Sequence, residues 1–152
     1  MLRELQNRKQ HCPDHVGYAD AERDEVFPRE AFRTLGHAGL LGLPYPEELG
    51  GGGVPYEVYL QVLEEIGTVW ASVGVGTSVH ALSCFALATR GTPEQQQRFL
   101  PSMATGERIW AQCWSEPEAG SDLASLGTRA IRDGDEFIVT GQKVWNSAAQ
   151  LC

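Results

Sequence analysis

The sequence predicts an α+β chain in which helices come first and a sheet begins late. Two observations carry this expectation. From Phe27 to Leu100 apolar residues recur at three- and four-residue spacing, the mark of helices with one face turned to a core. After Gly106 the period drops to two, and Asp133-Gly134-Asp135 between two short runs is a hairpin turn signal. The expected division is a helical domain over residues 1–107 and the first part of a β domain over residues 108–152.

The elements follow in order. Pro28 suits a first helical position, and Phe27, Ala31, Phe32, Leu35 and Ala38 form one stripe. Gly39 then supplies a left-handed cap. Leu40 to Val54, with Pro44, Pro46 and glycines 50–53, reads as loop. Pro55 opens a second helix with Val58, Tyr59, Val62, Leu63 and Ile66 inward, and Glu57, Gln61, Glu64 and Glu65 outward. Ala71 to Thr89 is apolar and small on nearly every side, which predicts a helix buried among others. Thr92-Pro93-Glu94-Gln95 is a helix start with a capping box, and Pro101 should bend or end that helix. Beyond Gly106, strands are expected over Ile109–Trp114, Thr128–Arg132, Glu136–Thr140 and Gln142–Trp145. So few short strands cannot bury both faces of a sheet, and the sequence reads as the front part of a larger protein.

Composition narrows the function. The 152 residues carry 12 Lys and Arg against 20 Asp and Glu, a formal charge of −8. That balance argues against nonspecific nucleic-acid binding, which depends on cations neutralising phosphates. Cys12, Cys84, Cys113 and Cys152 lie far apart, too sparse for a disulfide scaffold or a zinc site. No apolar run was expected to reach the roughly 20 residues of a membrane span. The opening residues lack the apolar stretch of a secretory signal, and a cytoplasmic protein is expected.

Two segments stand out chemically. Trp110 to Asp122 delivers a strand end into a loop of proline, small residues, two hydroxyls and three carboxylates. Backbone groups at such an end can read the polar edge of a planar ring, and Ala119-Gly120-Ser121 lets a ligand approach closely. Trp145-Asn146-Ser147 offers a second platform, an indole followed by an amide and a hydroxyl, and the hairpin can bring the two together. The competing reading is a solvated turn and a core tryptophan. Elsewhere, His11, Cys12 and His15 are weak metal candidates, glycines 50–53 form a turn without the Gly-Lys-Ser/Thr of a phosphate loop, and His80 reads as a hydrogen-bonded core histidine.

Ser115-Glu-Pro-Glu-Ala-Gly-Ser-Asp122 and Gly141-Gln-Lys-Val-Trp-Asn-Ser147 resemble the flavin-binding signature of the acyl-CoA dehydrogenase family, T-E-P-x-A-G-S-D and G-x-K-x-W-I-T. Pro46-Glu47-Glu48-Leu49-Gly50-Gly51, Gly91-Thr92-Pro93-Glu94-Gln95-Gln96, Leu100-Pro101 and Gly106-Glu107 agree in order, so the resemblance runs from about Val26 to Ala149. Ser115 replaces the usual threonine and keeps its hydroxyl, whereas Asn146 stands where isoleucine is common.

The resemblance implies an all-helical N-terminal domain, a β-barrel-like middle domain and a C-terminal helical domain that lies beyond this sequence. It implies FAD as cofactor. Gln112, Trp114 and Ser115 would lie along the pyrimidine side of the flavin, Gly120 and Ser121 close to it, Ser121 also near the acyl-CoA pantetheine, and Trp145, Asn146 and Ser147 around the ring, with Ser147 towards N5. The implied reaction is α,β-dehydrogenation of an acyl-CoA. Its carboxylate base is expected in the C-terminal part, so no catalytic base is assigned here; Glu116 and Glu118 are poor substitutes, as turn carboxylates are usually solvated. The implied partners are the acyl-CoA substrate, an electron-accepting protein and further copies in a homodimer or homotetramer. Two other readings are an acyl-CoA oxidase or flavin monooxygenase of the same fold, and a nonenzymatic truncated paralogue serving as an interaction module.

Overall fold

A computed structural model describes residues 18–149. Among the described residues five α-helices come first: α1 (Tyr18–Arg23), α2 (Arg29–His37), α3 (Tyr56–Val69), α4 (Ala71–Arg90) and α5 (Pro93–Ala104). A single antiparallel hairpin follows, β1 (Arg129–Asp133) and β2 (Glu136–Thr140).

Local signals act where the sequence places them. α2 ends in a Schellman motif: Gly39 has φ 73°, its N–H donates to Gly36 O at 2.8 Å, and the Leu40 N–H donates to Leu35 O at 2.8 Å. The capping box of α5 is complete, with Thr92 Oγ1 accepting from Gln95 N and Gln95 Oε1 accepting from Thr92 N. Pro28 and Pro55 stand one position earlier than expected, as N-caps. α5 runs three residues past Pro101 to Ala104: the ring removes one donor, the one that would reach the Gln97 carbonyl, and the ladder resumes beyond it, with the Thr105 N–H donating to Pro101 O at 3.2 Å.

The segment between α2 and α3 is more than a connection. Its backbone pairs with itself, Gly53 N to Tyr45 O at 2.8 Å and Val54 N to Leu43 O at 3.0 Å, which lets it enter the core without orphaned polar groups. Glu47–Leu49 forms a 3-10 turn within it. Leu41, Leu43 and Tyr45 alternate along it, and each joins a different core cluster. Leu41 packs with Phe32 and Ile109, Leu43 with Tyr59, Val62 and Ala81, and Tyr45 with Cys84, Leu100 and Met103. Burying each such side chain stabilises by roughly 1.5–3 kcal/mol. The Tyr45 hydroxyl donates to the Ala81 carbonyl, and burial pushes the Cys84 thiol up to about 12, leaving it an inert packing group.

α4 corrects one expectation. Val73, Thr77, His80, Ala81 and Cys84 are buried, but Val75, Leu82 and Phe85 form an exposed stripe on the opposite side. By length and composition alone this helix is apolar enough to cross a bilayer, contrary to the expectation of no such run; here its other face is the core of the helical layer. Glu65, expected outside, is half-buried.

The sheet is smaller than expected. Residues 109–114 and 142–145 do not pair as strands, and β1 starts at Arg129 rather than Thr128. The hairpin turns through Gly134 at φ 61° and exposes all ten of its paired residues. A segment whose residues alternate in pattern still needs a neighbour to become a strand, and among the described residues only β1 and β2 find one.

Candidate cofactor-binding site

The first platform is anchored at its root by a histidine. His80 is buried in α4; its Nε2 lies 3.0 Å from Met103 O, and the Trp110 N–H donates to its Nδ1 at 3.3 Å. A carbonyl can only accept, so Nε2 carries the proton and the ring is neutral. Burial, its main influence, lowers the His80 pKa and keeps it so. The core-histidine reading of His80 therefore gains a specific purpose: it ties the end of α5 to the start of the platform. Ile109 is buried against Phe32 and Leu41, and Trp110 meets Phe99 edge-on at 5.4 Å.

From there the chain leaves the core. Gln112 and Trp114 lie on one side, with Trp114 Nε1 donating to Gln112 Oε1 at 2.7 Å. Among the described residues, the N–H groups of Gln112, Cys113, Trp114 and Ser115 make no hydrogen bond. A row of open backbone donors beside a half-exposed indole suits the edge of a planar polar ring. Cavities of about 500 Å³ and about 480 Å³ flank the segment.

Glu116 turns the platform back on itself. Its N–H donates to Ala119 O at 2.8 Å and the Ala119 N–H returns to Glu116 O at 3.1 Å, closing a turn around Pro117-Glu118. Its carboxylate accepts from Gly127 N at 2.6 Å, from Thr128 N at 2.9 Å and from Lys143 Nζ at 2.9 Å. The Thr128 hydroxyl alongside, then the Gly127 N–H and the Lys143 ammonium, hold the carboxyl at about 2, although the hydroxyl falls short of a full hydrogen bond. The side chain is only 10% exposed. Glu116 is thus a clasp with little proton affinity, not a solvated turn carboxylate and not a base.

The same clasp draws in the second platform. Lys143 Nζ also donates to Trp114 O at 2.9 Å, and the Val144 N–H donates to Ser115 O at 2.9 Å. Trp145 follows at φ 59° with 93% of its surface exposed, so it is no core tryptophan. A bulky residue in the left-handed region costs of order 1–2 kcal/mol, and here the conformation holds the indole outside the fold. Asn146 is half-buried. Ser147 lines a cavity of about 550 Å³ whose other wall is α1 and the start of α4, including Glu22, Trp70, Ser72 and Gly76. Gly120 and Ser121 form an exposed bend directly after Ala119, and a Cβ on Gly120 would meet nothing within 4 Å.

Comparison with known proteins bears on this arrangement. Residues 7–107 match the family model described as acyl-CoA dehydrogenase, N-terminal domain. The chain belongs to the acyl-CoA dehydrogenase family. It is 44% identical over 137 residues to an acyl-CoA dehydrogenase of Mycobacterium tuberculosis, a match covering 90% of this chain and 36% of that protein. Its fold is similar to that of an acyl-CoA dehydrogenase from Geobacillus kaustophilus, with a TM-score of 0.85 and 34% identity over 97% of this chain and 39% of that one. A glutaryl-CoA dehydrogenase from Mycobacterium smegmatis, solved in complex with FADH2, is similar with a TM-score of 0.78 and 30% identity, covering 82% of this chain and 32% of that one. The chain spans 38% and 34% of the length of two further curated relatives.

Within this family frame, sequence reasoning missed the roles of Glu116 and Lys143, and read His80 correctly as a hydrogen-bonded core histidine without naming the two backbone groups it joins. The signal for the first two was present, since each motif of the acyl-CoA dehydrogenase signature contains one member of the pair. The His11, Cys12 and His15 candidates lie outside the described residues, and among those described no group of three or more metal-ligating side chains occurs.

Proposed function

We propose that the protein is an FAD-dependent acyl-CoA dehydrogenase catalysing α,β-dehydrogenation of an acyl-CoA thioester. One observation joins family and chemistry: the open donor edge of Gln112–Ser115 is clasped directly against Val144, next to the outward-held indole of Trp145. Donors on one unpaired segment and a flat hydrophobic face beside it fit the polar rim and the plane of an isoalloxazine. In this reading Gln112, Trp114, Ser115, Gly120, Ser121, Trp145, Asn146 and Ser147 hold the cofactor, and Ser121 also meets the substrate. FAD, when bound, supplies the two-electron acceptor.

The chain's own residues orient and enclose. Ser115 contributes an N–H and a hydroxyl, Gly120 leaves room for ligand approach, and Ser147 offers its hydroxyl from the rim of the cavity beside α4. None of them is a base; that group belongs to sequence outside these residues. The proposed organisation keeps a helical unit over residues 1–107 and a β unit from residue 108, in a cytoplasmic homodimer or homotetramer that passes electrons to an acceptor protein.

Anaerobic titration of the full-length flavoprotein with acyl-CoA tests the reading. Stoichiometric bleaching of the flavin, with little oxygen consumed on re-aeration, is expected. Absence of bound flavin would overturn the assignment, and rapid oxygen consumption would favour the oxidase alternative. Residues 1–152 alone should show no dehydrogenation even with added FAD.

A further inference from the structure

We infer that Lys143 is a positioning residue that strengthens the Ser115 N–H as a hydrogen-bond donor to the cofactor, acting through the Trp114–Ser115 peptide. The inference rests on the reading above that the Ser115 edge faces FAD.

The geometry is compact. Lys143 Nζ lies 2.9 Å from Trp114 O and 2.9 Å from Glu116 Oε1, with its side chain 22% exposed. An ammonium on a peptide oxygen draws density along the conjugated O–C–N unit and makes the next N–H a stronger donor. That N–H belongs to Ser115, and it makes no hydrogen bond among the described residues. The polarisation is therefore available to a ligand.

The joint between the platforms does not depend on Lys143 alone. Glu116 is already held by the Gly127 and Thr128 N–H groups, and Ser115 O by Val144. Glu116 fixes the ammonium and balances its charge, which confines the influence of Lys143 to the peptide it touches. Flavin gains negative charge along its pyrimidine side on two-electron reduction, so a stronger donor there favours the reduced form.

Two readouts test this, one of them free of cofactor. In the apo full-length protein, Lys143→Met should move the Ser115 amide nitrogen resonance upfield, and Lys143→Arg should keep it near the wild-type position. In the holoprotein, Lys143→Met should weaken the preference for reduced over oxidised flavin about threefold to tenfold. That is about 15–30 mV lower in midpoint potential for a two-electron couple. Lys143→Arg should recover most of the shift, and Ser115→Ala should leave the Lys143 effect intact, because the N–H and not the hydroxyl carries it. If Lys143→Met does not fold, Lys143→Gln, which keeps a neutral donor, should give a smaller shift of the same sign. A folded, flavin-replete Met or Gln variant with unchanged potential and unchanged amide resonance overturns the inference and leaves the site reading standing. A wild-type protein that binds no FAD, or whose Ser115 amide resonance does not respond to FAD, overturns the site reading and this inference with it.

Discussion

Removing the His80 ring should uncouple the platform from the helical layer. The imidazole lies at 1% exposure and serves two backbone groups at once, Met103 O at 3.0 Å and Trp110 N at 3.3 Å. In His80→Phe the volume is kept and both bonds are lost. Met103 is fully buried, so its carbonyl forfeits roughly 1–3 kcal/mol, and the half-buried Trp110 N–H adds about 1 kcal/mol. The expected loss is about 2–4 kcal/mol, a large share of a typical domain stability of roughly 5–15 kcal/mol. Urea unfolding of the full-length protein reads this loss, and hydrogen exchange at the Trp110 amide locates it. The pH dependence supplies an independent check. Burial lowers the folded pKa of His80 below its ordinary 6.5, so the unfolded chain binds the proton more readily. Stability due to neutral His80 is fully present above pH 6.5 and falls as pH drops towards the folded value, with a slope of at most about 1.4 kcal/mol per pH unit. His80→Phe should abolish that part of the slope. A loss under about 1 kcal/mol, with Trp110 exchange and the pH slope unchanged, would refute the role given to this residue.

Three further outcomes follow from the geometry. Glu116→Gln keeps one acceptor oxygen and turns the other into a donor, so it should reduce protection of at least one of the Gly127 and Thr128 amides; in the wild type the clasp is at full strength above about pH 4.5 and is lost as pH falls towards 2, readable by exchange across that window. Gly36→Ala should destabilise by at least about 2 kcal/mol in thermal or urea unfolding, because its Cβ would clash with the Thr105 carbonyl and neither backbone can yield cheaply. Gly120→Val should stay within about 0.5 kcal/mol of wild-type stability, since the space around it is open, yet strongly lower FAD or acyl-CoA affinity by blocking ligand approach, as measured by flavin absorbance after gel filtration.

Much of the fold is written in short windows. The α5 capping box needs only Thr92 and Gln95, the α2 terminus needs Gly39 to accept a positive φ, and the hairpin needs Gly134 between two alternating runs. Each is an interaction closed within six residues, so the local sequence determines it whatever surrounds it. The two motifs that announce the family are legible for a similar reason: each is contiguous, and each holds its residues in fixed order.

What tertiary structure alone decided involves partners far apart in the chain. The loop after α2 reads as a connector because its prolines and glycines forbid regular structure, yet Leu41, Leu43 and Tyr45 thread three core clusters once α3, α4 and α5 are in place. The periodicity of α4 is apolar nearly all round, and only packing selects which face is covered. Alternation at residues 109–114 specifies an extended habit but not a neighbour to pair with. Glu116 looks solvated in sequence because nothing within a turn of it can neutralise it; the fold brings Lys143, 27 residues on, to 2.9 Å and converts a surface carboxylate into the joint between two platforms. Burial and charge pairing depend on every element that shares the space, and a sequence window does not contain those elements.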